Sequence, residues 1–461
     1  MMPSAKRILL LNPPGRSNYG RDYYCSKVNK ANYVEHPVDL VYLTGLLDGL
    51  FDFMVIDSIV DKLGWSSCLQ RTVDFNPDVI VFLSGWVSWI EDFRFLETVK
   101  RHLPSCLMVG MGDLFLYREV FLRHDWIDAV LYDFRNGDIL EYLDGNVDGV
   151  INMRLRRQGS LIEKKLEKTQ SAETFKAILP RHEMFLERPY SFPFARQLPF
   201  VTVLTDFGCP FQCRFCVYSE IGYRTGDLDG VFTEIEYIRS LGVRELFFKD
   251  QTFCIDRKRG DAICRFMIDR GMGFSWTCFL RVTQANPDFL SLIKEAGCHT
   301  VIFGAETASQ DDLDKYRKQT SINDTRRAIR RAREAGIRSV CTFILGFPDE
   351  SKESIENTIR FALELDPDYA AFNIFVPKTE SIGFDSSLEH MHDQSGIKPS
   401  SNSGNGVLTG REIAEFRKQA VRRFYLRPRY LLRRVLGIKS AVELRMHLKS
   451  FFSVAGDLLY R

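Results

Sequence analysis

Short runs of Val, Ile, Leu and Phe, each followed by a stretch long enough for a helix, recur along most of this 461-residue chain. The first series comprises Arg7–Leu11, Phe53–Ile56, Asp78–Leu83, Cys106–Val109 and Ile127–Leu131, and Val38–Leu50 carries apolar residues at helical spacing after the first run. A continuous apolar run bounded by turn residues is the pattern of a strand buried on both faces, and parallel neighbours need a crossover between them. Residues 1–148 therefore read as an α/β domain, a doubly wound parallel sheet of Rossmann-like type. A second series starts at Phe200–Leu204 and continues with Glu245–Phe248, Gly273–Leu280, Thr300–Phe303, Ser339–Ile344 and Tyr369–Phe375. Asn323–Ala335 and Ser351–Leu365 between them have helical composition, and Gly336 supplies a C-cap after the former. Six βα units over residues 199–385 predict a partial (βα)6 barrel rather than a closed eightfold one.

The remaining segments differ in kind. Residues 149–198 read as a charged connector with a hairpin at Gly149–Arg156 and Ser160–Ile162. Residues 386–408 read as a flexible linker from their Ser, Gly and Asn content. Residues 409–461 read as a helical tail, opened by a capping box at Thr409–Glu412. From Val421 onward there are ten Lys/Arg against two Asp/Glu, so the net charge of +2 hides a basic tail on an acidic body. With 45% hydrophobic and 26% charged residues, disordered and fibrous classes are excluded. No apolar run approaches the ~20 residues of a membrane span, and the N-terminus lacks the longer apolar segment of a signal peptide. A cytoplasmic protein is expected. Its eleven cysteines, an odd number, point to reduced thiols or a metal site rather than disulfides.

Three of those cysteines stand together in Gly208-Cys209-Pro-Phe-Gln-Cys213-Arg-Phe215-Cys216, directly after the first strand of the second series. Three thiolates on one loop at a strand's C-terminal end can converge on a soft metal centre. A structural zinc site needs a fourth Cys or His nearby, and none follows before Cys254. A [4Fe–4S] cluster with three protein ligands keeps one iron open. Zinc, or thiols that meet by coincidence, is the alternative.

The Cys-x3-Cys-x2-Cys spacing, with an aromatic residue before the last cysteine, resembles the radical S-adenosylmethionine (SAM) superfamily. The resemblance runs over roughly residues 200–380. It implies that Cys209, Cys213 and Cys216 hold the cluster, that its free iron chelates SAM, and that one electron releases a 5′-deoxyadenosyl radical. It also implies SAM contacts from Phe215, from Asp250 and Gln251 after the second strand, and from Arg281 after the third. Gly304 and Glu306 match the family's Gly-x-Glu, whose acid meets the ribose, and Gly346 stands where backbone approaches the adenine. All fall at C-terminal strand ends, the active face of such barrels. The other cysteines read as small core residues (Cys278 and Cys341 in apolar strands), while Cys25 sits in a polar loop near the first strand.

The N-terminal segments Leu9–Gly15, His36–Leu43 and Pro77–Gly85 resemble the cobalamin-binding domain that precedes many radical SAM enzymes. That resemblance implies corrinoid contacts at Asn12, Ser84, Gly85, Gly110 and Gly112, where glycine lets a flat macrocycle come close. The family's Gly-Glu-Gly-Glu turn is replaced by Tyr132–Gly137, and its Asp-x-His-x-x-Gly signature is absent. The Phe424-Tyr-Leu-Arg-Pro428 segment is similar to one at the end of cobalamin-type radical SAM proteins. Around it, Arg422–Arg434 interleaves paired arginines with aromatic and aliphatic residues; these suit an anionic lipid surface or a phosphate-bearing substrate, but a solvated helix whose arginines pair with the acidic body is the preferred reading. Nucleic acid is not expected. The function implied is cobalamin-dependent methylation of an unactivated carbon, on a small-molecule, lipid or natural-product substrate, with flavodoxin or ferredoxin as electron donor. Radical rearrangement, cyclisation or carbon–carbon bond formation without methyl transfer is the second reading. A non-catalytic iron–sulfur sensor is the third, and the SAM contacts speak against it.

Overall fold

The structure is a computed structural model that describes residues 6–29, 33–157, 160–164, 173–376, 404–438 and 442–445. Most of the segment expected as a linker, and the end of the tail, lie outside the described residues. The chain divides into two compact units. One comprises Met1–Pro193, Pro199–Thr202 and Gly222–Val243; the other comprises Phe194–Leu198, Val203–Ile221 and Arg244–Arg461. Among the described residues, no helix is long and apolar enough to cross a membrane.

The first unit holds a seven-stranded sheet in the order Asp52–Asp57, Arg7–Asn12, Val79–Leu83, Leu107–Met111, Ala129–Leu131, Met153–Arg157, Ser160–Lys164. Its first five strands are parallel, in registers such as Leu10↔Val55 and Leu10↔Val81. Ile8–Leu11 and Val79–Leu83 are wholly buried, as expected of strands covered on both faces. The connector does form the expected hairpin, and it adds two antiparallel strands to the edge of this same sheet. Strand order reverses between Arg7–Asn12 and Val79–Leu83, the place where sheets of this type take ligands beyond the strands' carboxyl ends.

A second hairpin, Tyr19–Asp22 with Cys25–Val28, was not foreseen. Its two turn residues, Tyr23 and Tyr24, have φ of 45° and 56°. Such turns normally take Gly or Asn, and a bulky residue there costs about 1–3 kcal/mol. Burial compensates: Tyr23 is 0% and Tyr24 3% exposed. The Tyr23 amide donates to Asp39 at 2.6 Å, and the Tyr24 hydroxyl donates to the Tyr132 carbonyl. Cys25, beside the turn, is exposed.

The second sheet has six strands in chain order, Phe200–Val203, Glu245–Phe248, Ser275–Phe279, Cys298–Glu306, Arg338–Leu345 and Tyr369–Ile374. The pairings from Glu245–Phe248 onward are parallel. Helices Arg257–Asp269, Pro287–Glu295, Ile322–Glu334 and Lys352–Leu365 return the chain between strands, each opened by a side-chain cap from Asp256, Asn286, Ser321 or Ser351. Both units are thus α/β with parallel sheets.

At the N-terminal strand ends, His299 Nε2 and Glu245 Oε1 stand 2.9 Å apart, both buried. Burial pushes Glu245 up to about 8, against hydrogen bonds from Ser275 and the charge of Arg196. Burial, with Arg196 and Arg338, holds His299 well below the ordinary imidazole range. The pair is a neutral hydrogen bond rather than an ion pair. A carboxyl raised on folding contributes stability that is lost as pH rises from its ordinary 4.5 through about 8. His299 acts oppositely and only below its ordinary value of 6.5. The melting temperature should therefore fall from pH 6.5 to 8.5, and Glu245→Gln should remove much of that slope; a flat profile in the native protein would refute the assignment.

The tail helices Gly410–Tyr425 and Pro428–Leu436 pair with the acidic body. The capping box of Thr409 and Glu412 is present. Arg423 meets Glu356 at 2.6 and 2.8 Å, Arg427 and Arg433 both reach Asp366, and Arg434 pairs with Asp368. Four tail arginines thus pair with the acidic body, as the preferred reading of the sequence expects, rather than being left for lipid or phosphate.

Candidate active site

Cys209, Cys213 and Cys216 lie on the loop between the strand Asp206–Gly208 and the short turn Val217–Glu220. Cys213 is 6% exposed and its carbonyl accepts from the Cys216 amide at 3.0 Å, closing the loop on itself. Burial pushes the Cys209 thiol up, while the Phe211 N–H and the charges of Arg281 and Lys318 oppose it. Burial pushes Cys216 up to about 12, with Cys209 adding to it and the Tyr218 N–H and Lys318 opposing. Among the described residues, no three His, Cys, Asp or Glu side chains are gathered tightly enough to hold a metal ion as they stand. The donor set otherwise fits a soft iron–sulfur cluster: three sulfurs, two backbone N–H donors and two nearby cations, with binding displacing the thiol protons.

Glu306 ends its strand at a register shift, with φ of 65°. Its Oε1 is 2.6 Å from Lys318 Nζ, and both side chains are nearly buried. A Cβ at Gly304 would lie 2.2 Å from Glu306 Oε1 and 2.8 Å from Lys318 Nζ, so only glycine admits this pair. Arg281 donates to the Lys318 and Gln319 carbonyls and stacks its guanidinium 3.7 Å from the Phe211 ring centroid, within the cysteine loop. Phe215 contacts Tyr316 and Phe347, and Tyr316 stacks on Phe347 at 4.6 Å. Phe375 closes that aromatic wall, 5.3 Å from Phe347.

Gly346, at φ 83°, begins a turn whose Gly346 and Phe347 amides donate to Glu350 at 2.6 and 3.1 Å. Asn405 ties the same turn down by donating to the Phe347 and Glu350 carbonyls, both at 2.8 Å. The structure thus gathers Phe215, Arg281, Gly304 and Glu306 around the cysteine loop. Asp250 is turned differently. Its oxygens accept from the Thr205 and Asp206 amides and the Thr205 hydroxyl, and so pin the chain after the Phe200–Val203 strand. The Gln251 side-chain amide donates to the Lys249 carbonyl at 3.5 Å, and the Gln251 carbonyl accepts from the Thr252 hydroxyl at 2.8 Å. Lys318, Glu350 and Asn405 were not foreseen. Lys318 sits in an ordinary charged stretch, and the roles of the other two arise from contacts that no spacing announces.

In the first unit, the five residues expected to meet cobalamin are engaged by the chain itself. Asn12 donates to Asp57 at 2.9 Å and accepts from Arg21 at 2.9 Å, and Ser84 donates to Asp92 at 2.8 Å. A Cβ at Gly85 would meet Ser26 of the hairpin at 2.3 Å, at Gly110 the Phe115 ring at 2.5 Å, and at Gly112 the Ser84 carbonyl at 2.0 Å. On the Cβ side, the close approach that glycine permits at Gly85, Gly110 and Gly112 is taken by the chain's own groups.

Residues 204–362 match the radical SAM superfamily. An uncharacterized methyltransferase of Pyrococcus horikoshii is 27% identical over 446 residues, covering 93% of this chain and 94% of that protein. The anaerobic magnesium-protoporphyrin IX monomethyl ester cyclase of Cereibacter sphaeroides is 27% identical over 359 residues, covering 74% of this chain but only 58% of its own length. Among solved structures, the radical SAM methyltransferase TsrM from Kitasatospora setae, with cobalamin and a [4Fe–4S] cluster bound, aligns with a TM-score of 0.64 at 18% identity. That alignment covers 81% of this chain and 77% of TsrM, and it bears on the fold.

Proposed function

We propose, from the premise that residues 204–362 are a radical SAM domain, that this protein functionalises an unactivated C–H bond, with cobalamin-dependent methylation of carbon as the outcome. The observation that carries the reading is the cysteine loop: three thiols beside Arg281 and Lys318 and facing the Gly304–Glu306 strand end. A [4Fe–4S] cluster held there would bind SAM and relay to it the electron from an external reductant that cleaves its sulfonium. The chain's own residues do the rest. Cys209, Cys213 and Cys216 hold the cluster. Glu306 receives the ribose hydroxyls, and Arg281 keeps the Lys318–Gln319 segment against the cysteine loop. Phe215, Tyr316, Phe347 and Phe375 wall the adenine side and exclude water from a reactive radical, and Glu350 fixes the Gly346–Pro348 turn.

The architecture proposed with this function is a Rossmann-like domain at 1–148, a connector at 149–198, a partial barrel at 199–385, a linker at 386–408 and a helical tail at 409–461. The name of the Pyrococcus horikoshii relative and the likeness of fold to TsrM support the methylation reading. Asn12, Ser84, Gly85, Gly110 and Gly112 are the residues proposed to meet the corrinoid, and two of them lie against the hairpin Tyr19–Val28, Asn12 through Arg21 and Gly85 through Ser26. The substrate is a small molecule, a lipid or natural product among them, and the reductant is a cytoplasmic flavodoxin or ferredoxin.

Anaerobically reconstituted protein, given SAM and a reductant, should form 5′-deoxyadenosine, and with substrate also S-adenosylhomocysteine. Absence of both refutes the function. 5′-Deoxyadenosine without S-adenosylhomocysteine refutes methylation and favours rearrangement or cyclisation. A corrinoid spectrum after expression with cobalamin supplied tests the first unit independently.

A further inference from the structure

Three non-glycine residues with left-handed backbones, Glu306, Arg317 and Gln319 at φ 65°, 55° and 54°, bracket one lysine, Lys318. Each such residue is strained, and persists only where the surroundings over-determine it. Here they do. Arg281 holds the carbonyls on both sides of the strained turn, at Lys318 and Gln319, and its own guanidinium is fixed over Phe211. The outcome of this construction is the position of one ammonium group. Lys318 Nζ is 2.6 Å from Glu306 Oε1 and 5.6 Å from the ring centroid of Phe215, which stands between Cys213 and Cys216 on the cysteine loop. Its side chain is 11% exposed, so solvent screens that charge little.

We propose that Lys318 is a positioning residue of the cluster site. It fixes Glu306 through Oε1 and leaves Oε2 for ligand, and its charge makes the cluster easier to reduce. The proposal rests on the radical SAM reading of the site. Three thiolates carry net negative charge, and an added electron increases it. A nearly buried cation beside the loop stabilises the more negative state in a low-dielectric setting. Arginine at 318 keeps the charge, whereas methionine keeps only the shape.

The test is the midpoint potential of the reconstituted cluster, followed by the electron paramagnetic resonance signal of its reduced form, together with iron content and SAM affinity. In Lys318→Met the potential should move to more negative values at unchanged iron content, and SAM should bind more weakly. Lys318→Arg should restore the potential toward that of the native protein. Glu306→Gln, which leaves Lys318 uncompensated, should move the potential the other way. A native protein whose cluster potential is indifferent to Lys318→Met overturns this proposal alone; one that takes up no cluster overturns the radical SAM reading with it. If Lys318→Met takes up no iron, Glu306→Gln decides: an unchanged or more negative potential overturns the proposal, and a less negative one supports it.

Discussion

Replacing Cys209, Cys213 and Cys216 together by alanine is expected to abolish iron uptake, the cluster's charge-transfer absorbance and the cleavage of SAM, all to baseline. The fold should survive the change. The loop's backbone is held by bonds that do not involve sulfur: the Arg214 amide donates to the Tyr316 carbonyl at 2.9 Å, and the Ser219 hydroxyl donates to the Cys216 carbonyl at 2.7 Å. Cysteine to alanine removes little volume, so thermal unfolding of the metal-free variant should stay close to that of the metal-free native protein. The contrast between a lost cluster and a retained melting temperature separates a cofactor loop from a packing loop. Retained iron at three equivalents or more in the triple variant would mean that other residues hold the metal, and the proposed function would fall.

That loop was legible because its signal is a spacing: three thiols within one loop are close in space whatever the rest of the chain does. The strands of both sheets were legible for a similar reason. A strand such as Val79–Leu83, buried on both faces, must be apolar at every position. What escaped depends on tertiary contact. The hairpin Tyr19–Val28 turns at Tyr23 and Tyr24, where local preference argues against a turn. Only the burial of both rings, and the Asp39 acceptor sixteen residues on, make it form. Lys318 reads as one charge among many until the fold sets it against Glu306, and Asn405 acquires a role only because its side chain reaches carbonyls 55 and 58 residues away. The tail arginines were legible as a cluster, but their acidic partners on the body, Glu356, Asp366 and Asp368, were not.

Arg21→Met should destabilise the first unit by about 3–5 kcal/mol, the cost of leaving one partner of a buried ion pair uncompensated. Arg21 and Asp92 meet at 2.6 Å with both side chains 0% exposed. The guanidinium also donates to Ser88 at 2.8 Å, to Asn12 at 2.9 Å and to the Pro13 carbonyl at 2.8 Å. It is thus the hub that ties the hairpin to the ends of two parallel strands. Without it, Asp92 keeps only the hydroxyls of Ser84 and Ser88. Burial already pushes Asp92 up to about 6 against the charge of Arg21. Removing that charge raises it further, so the loss should be smaller at pH 5.5, where the carboxyl is protonated, than at pH 8. Set against a typical total of roughly 5–15 kcal/mol, the loss at pH 8 is large enough to read directly as a shifted urea midpoint. Arg21→Met combined with Asp92→Leu, which removes both charges, should be more stable than Arg21→Met alone. A single variant that loses under about 1 kcal/mol at pH 8, or a double variant less stable than the single, would show that the pair is solvated and that the strand ends of the first unit are open.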